Sequence, residues 1–388
     1  MKLLVISHSC ITPINQEFYA FVERISDWQI DIVVPSNWKN DYSSQMMPER
    51  WPSYKGQLIQ IPVLKPGSIP LHTYSSIFIS LLRECNPHAI YVHNEPYALS
   101  TVQIYLANKF SINRPIGCYS AQNIQKQYPF PFRQAEQWIL KVSDFAFPVS
   151  QEVKSILRDK GFQGNLQYLP LGVDFDTYFP RSEGVQIAQK YRRFDQEILI
   201  GFLGRITEEK GLKTLLHALK HIQDLPWRLV MAGSGNYETE FYSLAKQLGL
   251  SDRILSLGYI PHNEAPIYLS MFDLLVLPSE TRANWKEQFG RVIIEALACG
   301  TPVIGSDSGE IPHLLKVTGG GLIFPEANDR TLAEQLKQLI LNAELRKVLA
   351  LQGQKVVKEK FTYESISRTF IQTIEESVKN QTSKSVMK

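Results

Sequence analysis

Cysteine is scarce in this sequence, and its spacing excludes the usual disulfide and zinc-binding patterns. The four cysteines among 388 residues, Cys10, Cys85, Cys118 and Cys299, lie far apart and form no C-x-x-C pair. A disulfide framework needs a denser set. The eight histidines never fall at metal-ligand spacing, so zinc is not expected either. We therefore predict free thiols in the reducing cytoplasm.

Long apolar runs and an excess of one charge are also missing. No run approaches the ~18 apolar residues of a membrane span. The opening MKLLVISHSC has a short apolar core and no small-residue cleavage site after it, so it predicts a first buried strand rather than a secretory signal. The 41 basic and 38 acidic residues leave a net charge of +3 without a charged tail, which argues against nucleic acid as a partner.

Continuous apolar runs of strand length, each followed by a helical stretch, are the main pattern of the sequence. Apolar residues make up 44% of the chain and charged residues 20%, which is a globular composition. Runs that are apolar throughout predict parallel strands covered by helices on both faces. The predicted strands are Leu3 to Ser7, Ile30 to Pro35, Ala89 to His93, Ile116 to Ser120, Phe145 to Ser150, Ile198 to Leu203, Arg228 to Ala232, Ile254 to Gly258, Leu274 to Pro278, Pro302 to Ser306 and Gly321 to Phe324.

The length predicts two α/β domains, each a Rossmann-like doubly wound sheet. We place the N-terminal domain at 1–175 and the C-terminal domain at 176–365, with a linker or hinge between Leu169 and Glu197, where periodicity is weak. A C-terminal helix, 366–388, is expected to pack back toward the first domain and to fray from about Asn380. Ligands should bind after the carboxyl ends of the strands.

One predicted helix is apolar on nearly every side and yet contains a carboxylate. It spans about Arg291 to Ala298 and includes Glu295. A buried carboxylate needs a hydrogen-bond donor nearby. Two vicinal ribose hydroxyls would serve, and so would a salt bridge to Arg291 one turn earlier. The sequence leaves both readings open.

Glu287 lies just before this helix, next to backbone amides at its amino end. The amides of Gln288, Phe289 and Gly290 favour acceptor oxygens of a ligand, and Gly290 permits close approach of the backbone. The alternative is a glutamate that merely lies near the positive end of the helix dipole.

Two cations follow the first predicted strand of the second half. The segment GFLGRITEEKG brings Arg205 and Lys210 to the carboxyl end of that strand. A guanidinium fork and an ammonium together suit a diphosphate. The alternative is a solvated basic pair next to Glu208 and Glu209.

These two segments resemble a known family. EQFGRVIIEALACGTPVIGSDSGEIP resembles the E-x7-E signature of family-4 retaining glycosyltransferases of the GT-B fold, and GFLGRITEEKG resembles their G-R-x-x-x-x-K-G pattern. The resemblance implies two Rossmann-like domains that face each other across a cleft, with the acceptor in the first and the donor in the second. It implies that Glu287 contacts the donor hexose and Glu295 the ribose. It also implies that Arg205 and Lys210 stabilise charge on the diphosphate, without a metal or another cofactor.

Weaker matches extend the implied donor site. AGSGN, with Gly233, resembles the family's glycine turn, and LGYIPHNE resembles the segment that flanks the nucleotide base. The residues implied to bind the donor, besides the catalytic Arg205, Lys210 and Glu287, are Glu295, Gln288, Phe289, Gly290, Gly204, Gly233, Tyr259, Ile260 and Arg291.

The expected acceptor side departs from the family pattern. Many members have a histidine after the fifth strand of the first domain, whereas this chain has Gln122 or Asn123 there. With Lys126, these side chains could contact sugar hydroxyls or simply form a loop. His93 and Glu95 follow another strand and are further candidates, although His93 could equally be a structural histidine. No general base is assigned.

Two other features have competing interpretations. Asp174-Phe175-Asp176 imitates a metal-binding D-x-D, but it falls in the predicted linker, so we predict no metal. Aromatic and basic residues of the first half could enter a lipid headgroup layer or could pack in the core. They are Trp38, Trp51, Tyr54, Lys55, Tyr128, Phe130, Phe132, Arg133, Trp138 and Lys141.

The resemblance predicts a retaining hexosyltransferase that moves glucose from UDP-glucose to a saccharide or lipid-linked saccharide in surface polysaccharide or glycolipid biosynthesis. The alternatives are a nucleotide-sugar epimerase of GT-B architecture and a non-catalytic sugar-nucleotide-binding scaffold. The N-terminal domain is the expected point of any peripheral contact with the inner face of the membrane.

Overall fold

The computed structural model describes residues 1–39, 45–76 and 78–386, and the chain divides into two compact units. The first unit comprises Met1–Pro170 and Tyr363–Lys388, and the second comprises Leu171–Thr362. The first division lies five residues before the boundary predicted at 175, and the second lies three residues before the one predicted at 365. The last helix groups with the first unit.

A parallel sheet forms the centre of the first unit. The strands of this unit are β1 (Lys2–Ile6), β2 (Gln29–Pro35), β3 (Trp38–Lys39), β4 (Gln45–Met46), β5 (Leu58–Ile61), β6 (Val63–Leu64), β7 (Thr73–Tyr74), β8 (Ala89–Val92), β9 (Ile116–Ser120), β10 (Phe145–Pro148) and β11 (Asn165–Leu166). The sheet order is β11-β10-β9-β8-β1-β2-β5, with β3–β4 and β6–β7 as separate antiparallel pairs. The apolar runs predict β1, β2, β8, β9 and β10. They miss β5, because this edge strand is only partly buried and interrupted by a polar residue.

The second unit has a parallel sheet of dinucleotide-binding topology. Its strands are β12 (Ile198–Leu203), β13 (Trp227–Ala232), β14 (Ile254–Gly258), β15 (Leu274–Leu277), β16 (Val303–Ser306) and β17 (Gly321–Phe324). Their order is β14-β13-β12-β15-β16-β17. The strand order reverses between β12 and β15, and a ligand crevice is expected at the carboxyl ends of these two strands.

Helices cover both sheets. They are α1 (Glu17–Ile25), α2 (Phe78–Cys85), α3 (Leu99–Lys109), α4 (Phe132–Val142), α5 (Gln151–Asp159), α6 (Ser182–Tyr191), α7 (Leu212–His221), α8 (Glu238–Gln247), α9 (Ala265–Met271), α10 (Arg291–Ala298), α11 (Ile311–Thr318), α12 (Asp329–Leu341), α13 (Ala343–Lys360) and α14 (Tyr363–Val386). None of them, over the described residues, has the length and apolarity that crossing a membrane requires.

The last helix is part of the core of the first unit. On α14, Phe370 is fully buried and packs on Phe147 with ring centroids 5.1 Å apart and on Phe18 at 5.2 Å. The helix continues to Val386, and fraying from about Asn380 stays a prediction. The Gln381 amide donates to the Asn113 carbonyl oxygen at 2.7 Å, which ties this end of the helix to the first unit.

The segment predicted as a linker contains one helix and a turn. Helix α6 lies within it and packs on α9 so closely that a Cβ at Gly184 would lie 2.5 Å from the Ile267 carbonyl oxygen. Asp174 accepts hydrogen bonds from the Asp176 amide and the Thr177 hydroxyl at 3.1 and 3.0 Å, so it forms a turn. This weakly periodic segment thus includes a short helix with few apolar residues, and the role of the segment as a linker or hinge stays a prediction.

Candidate functional site

The loops that follow β12 and β15 are joined at the point where the strand order of the second sheet reverses. The Glu280 amide donates to the Glu209 carbonyl oxygen at 2.8 Å. Gly211 has φ 65°, and a Cβ there would lie 1.9 Å from the Pro278 carbonyl oxygen. This position therefore needs glycine both for its backbone angle and for the contact between the loops.

Lys210 and Glu287 form an ion pair across these loops. The Lys210 ammonium donates to Glu287 Oε2 at 2.6 Å, and the Ser279 hydroxyl donates to the same oxygen at 2.8 Å. The two charged side chains keep only 13% and 11% of their surface exposed. An ammonium carries three N–H donors. The pair thus places a cation with further donor capacity at the expected ligand edge of the sheet.

A second polar cluster supports the loop after β15. Glu280 is buried, accepts a hydrogen bond from the Thr214 hydroxyl, and lies 2.9 Å from the Arg282 guanidinium. Arg282 also donates to the Glu208 carbonyl oxygen at 3.4 Å. The buried Glu280 and Thr214 are thus partners of each other, and these contacts connect the loop after β15 to α7 and to the loop after β12.

The amino end of α10 is open to an acceptor group. Its N-cap, Gly290, has φ 81° and provides no side chain to cap the first amides. Phe289 is buried and anchors the turn, whereas Gln288 is exposed. Uncapped amides and the positive end of the helix dipole suit an anionic or hydroxyl oxygen of a ligand.

Glu295 is buried on α10 and only partly satisfied. Arg291 Nε lies 3.1 Å from Glu295 Oε1, close enough for an ion pair but not aligned as a hydrogen bond. That oxygen accepts no hydrogen bond within the described part of the chain. The structure therefore contains the salt bridge considered for Glu295 and also retains an unmet acceptor, as a ligand hydroxyl would require.

The predicted glycine turns pack against each other. Gly233 has φ 145°, and a Cβ there would lie 1.9 Å from the Gly204 carbonyl oxygen. Arg205, next to Gly204, has an exposed side chain. Tyr259 is 74% exposed and Ile260 is half-buried after β14, two strands away from β12. The predicted donor residues therefore follow the carboxyl ends of β12, β13, β14 and β15.

The acceptor candidates of the first unit divide into packed and accessible groups. His93 is held between aromatic rings, its Nδ1 lies 2.9 Å from the Tyr19 hydroxyl, and burial lowers its pKa to about 3. Gln122 accepts from the Ile124 amide at 3.2 Å through its own side chain. Asn123 is buried and Lys126 is half-buried. The internal contacts of His93 and Gln122 fit the structural alternatives left open by the sequence.

Glu95 connects two strand ends of the first sheet. Its carboxylate accepts from the Ser120 hydroxyl and the Ala121 amide, each at 2.8 Å, and so ties the end of β8 to the loop after β9. Its pKa is raised to about 7, chiefly by burial and to a lesser extent by the nearby Glu136, although the two hydrogen bonds and Lys160 act to lower it.

The raised pKa of Glu95 predicts a pH-dependent stability. Because the folded protein holds this proton up to about pH 7 and the unfolded chain releases it near 4.5, Glu95 should destabilise the fold as pH rises through this window. Glu95→Gln should remove a contribution on the order of 2 kcal/mol. The measurement is the urea midpoint at pH 5 and pH 7.5 for both proteins. If the urea midpoint changes equally between pH 5 and pH 7.5 in wild type and in Glu95→Gln, the raised pKa of Glu95 is contradicted.

The sequence analysis missed several residues of these sites. In the second unit they are Ser279, Glu280, Arg282 and Trp285, all on the loop that contains Glu287. In the first unit it is His8, after β1, which is hydrogen-bonded to Asn94, after β8, across the point where that sheet reverses its order. No motif marks these positions, and only their place after strands could have indicated them. Within the described ranges, no group of three or more His, Cys, Asp or Glu side chains could hold a metal ion.

Comparisons with known proteins agree with this geometry. The family model described as Glycosyl transferases group 1 matches residues 186–356. A GDP-mannose-dependent alpha-(1-6)-phosphatidylinositol monomannoside mannosyltransferase of Mycobacterium tuberculosis is 26% identical over 53% of this chain and 55% of its own length. The chain spans about half the length of the first curated relatives that it matches.

Solved structures match both units. Sucrose-phosphate synthase from Thermosynechococcus elongatus has a TM-score of 0.76 at 19% identity, covering 97% of this chain and 98% of its own. Anabaena HepE, solved with UDP and glucose, has a TM-score of 0.74 at 16% identity, covering 97% and 99%. The chain therefore has the GT-B fold, and residues 186–356 are a glycosyltransferase group 1 domain.

Proposed function

We propose that this protein is a retaining glycosyltransferase that moves a hexose from a nucleoside-diphosphate sugar to a hydroxyl group of a saccharide or lipid-linked saccharide. The observation that carries this proposal is the ion pair of Lys210 and Glu287 at the strand-order reversal of the second sheet. UDP-glucose is the proposed donor, in keeping with the UDP and glucose bound to HepE. GDP-mannose, the donor in the name of the Mycobacterium tuberculosis relative, is the alternative donor.

The chemistry follows from charge. As the bond between C1 of the hexose and the diphosphate oxygen breaks, negative charge grows on the diphosphate. Arg205 and Lys210 would stabilise that charge, which is electrostatic catalysis that requires no metal. The acceptor hydroxyl then forms the new bond to C1 on the face that the diphosphate leaves, and its proton passes to the departing phosphate oxygen.

Two side chains would hold the rest of the donor. Glu287 lies next to the cation and would accept from hexose hydroxyls, whereas Glu295 has a buried oxygen without a donor and would accept from the ribose. Carboxylates accept well from vicinal hydroxyls. The uncapped amides before α10 would face donor oxygens.

The acceptor belongs to the first unit in this proposal, and its biosynthetic use would be surface polysaccharide or glycolipid. Contact with a membrane is part of the proposal because Phe130 is 80% exposed next to α4. Trp38 and Tyr54, in contrast, are core residues. If the protein does not co-sediment with anionic liposomes at low salt, the proposed contact with a membrane is contradicted.

A panel of nucleotide sugars tests the donor. Thermal shifts are measured with UDP-glucose, UDP-galactose, UDP-N-acetylglucosamine and GDP-mannose in EDTA, followed by product analysis with the best binder. We expect the largest shift with UDP-glucose, followed by slow release of glucose and UDP. An altered sugar nucleotide without an acceptor would indicate an epimerase, and a shift without turnover under any acceptor would indicate a scaffold.

A further inference from the structure

A short hairpin in the loop after β15 is explained by no motif of the sequence. The Arg282 amide donates to the Trp285 carbonyl oxygen at 2.8 Å, and the Trp285 amide donates back at 3.3 Å, enclosing Ala283 and Asn284. The Arg282 side chain is anchored on the buried Glu280 at 2.9 Å. The backbone of Trp285 is therefore held in a defined place relative to β15.

The ring of Trp285 lies next to the cation of the candidate site. Lys210 Nζ is 5.0 Å from the centroid of this ring and 2.6 Å from Glu287 Oε2. The first distance is within the range of a cation–π interaction, for which tryptophan is the best partner. The ammonium is thus held by a carboxylate and by an indole face.

This arrangement has a use in binding a diphosphate. A lysine side chain is a point charge on a flexible stem, and it loses rotamer freedom when a ligand fixes it. Holding Lys210 in place before the ligand arrives lowers that cost of binding. The indole face takes up none of the ammonium's N–H donors in a conventional hydrogen bond, so those not used by Glu287 stay available for phosphate oxygens.

We propose that Trp285 is a positioning residue that holds the Lys210 ammonium where the second phosphate of the donor binds. This phosphate carries the sugar in the donor and is the terminal phosphate of the free nucleoside diphosphate. The inference rests on the proposed function, since it assumes a nucleotide-sugar donor at this site. It adds a residue that acts through Lys210 and touches no reacting atom.

The test compares a nucleoside diphosphate with its monophosphate, because only the former carries the terminal phosphate. Isothermal titration calorimetry measures the Kd of UDP and UMP for wild type, Trp285→Leu, Trp285→Phe and Asn284→Ala, with GDP and GMP used instead if wild type prefers GDP. Trp285→Leu should weaken UDP binding about 3- to 30-fold, the range expected for a cation–π contact. The Kd of UMP should change less than about twofold.

Two variants separate the ring from the hairpin. Trp285→Phe keeps an aromatic face, so its Kd for UDP should lie between those of wild type and Trp285→Leu. Asn284 lies in the same turn as Trp285. Asn284→Ala should therefore leave the affinities for UDP and UMP within about twofold of wild type.

The outcomes distinguish this inference from the proposed function. If wild type binds neither UDP nor GDP, the donor site itself is wrong and the inference falls with it. If the diphosphate binds wild type and Trp285→Leu equally well, or if the variant weakens diphosphate and monophosphate alike, only the role of Trp285 is overturned. If Trp285→Leu does not fold, Trp285→Gln replaces it as the variant without an aromatic face, and an affinity of Trp285→Gln for UDP within about twofold of wild type overturns the role as well.

Discussion

Replacing Lys210 by alanine is expected to lower the turnover number of donor cleavage about 10²- to 10³-fold. The ammonium lies 2.6 Å from Glu287 at the ligand edge of the second sheet, where charge would develop on the leaving diphosphate. Because this charge is larger in the transition state than in the bound donor, the KM of the donor should rise far less than kcat falls. Arg205→Ala should act in the same direction.

The measurement is steady-state hydrolysis of the best-binding nucleotide sugar, with acceptor transfer added once an acceptor is found. Lys213→Ala is the matched control, because this exposed lysine lies one turn away on α7 and should leave kcat unchanged. Thermal unfolding of Lys210→Ala separates a loss of fold from a loss of chemistry. An unaltered kcat in a folded Lys210→Ala would contradict the proposed role of Lys210 in stabilising the leaving diphosphate.

The second large effect is expected from a single methyl group at Gly211. Alanine there would place its Cβ 1.9 Å from the Pro278 carbonyl oxygen and would also have to adopt φ 65°. The loops after β12 and β15 must then separate by more than an ångström, which moves Lys210 away from Glu287. Displacements of this size near a reacting centre cost about 10²-fold in rate. We expect at least that loss in kcat/KM, together with a lower Tm.

Gly249→Ala is the control for the backbone angle alone. Gly249 has φ 70°, close to that of Gly211, but a Cβ there meets nothing within 4 Å. This variant should lose about 1 kcal/mol of stability from the left-handed conformation and keep wild-type kinetics. If Gly211→Ala behaves like Gly249→Ala, the contact between the two loops does not support the site.

Much of the fold could be predicted because the parallel strands are apolar throughout. Runs such as those of β9 and β12 predict their strands to the residue, since a strand buried on both faces needs no polar alternation. The short strands were missed, because β3 and β11 have two residues each and lie outside any long apolar run. Helix α6 was missed for a related reason, since few of its residues are apolar.

The candidate donor site was predicted in part. The glycosyltransferase group 1 domain over 186–356 and the GT-B fold are confirmed, whereas retention stays a prediction. The roles of Arg205, Lys210, Glu287 and Glu295 stay predictions, although the structure brings Lys210 and Glu287 into contact. The positions of the acceptor candidates were the least predictable, because they depend on loops whose hydrogen bonds run to other strands, as that of Glu95 does to Ala121.

The sequence by itself determined the α/β class, the buried carboxylate of α10 and the two cations after β12, because each follows from local composition and spacing. Only the tertiary structure decided that β12 and β15 are neighbours, with β13 and β14 on the other side. That pairing joins Lys210 to Glu287 across 77 residues and sets the ring of Trp285 beside the same ammonium. The physical reason is that the order of parallel strands depends on how helices cover the whole sheet, which no local segment specifies.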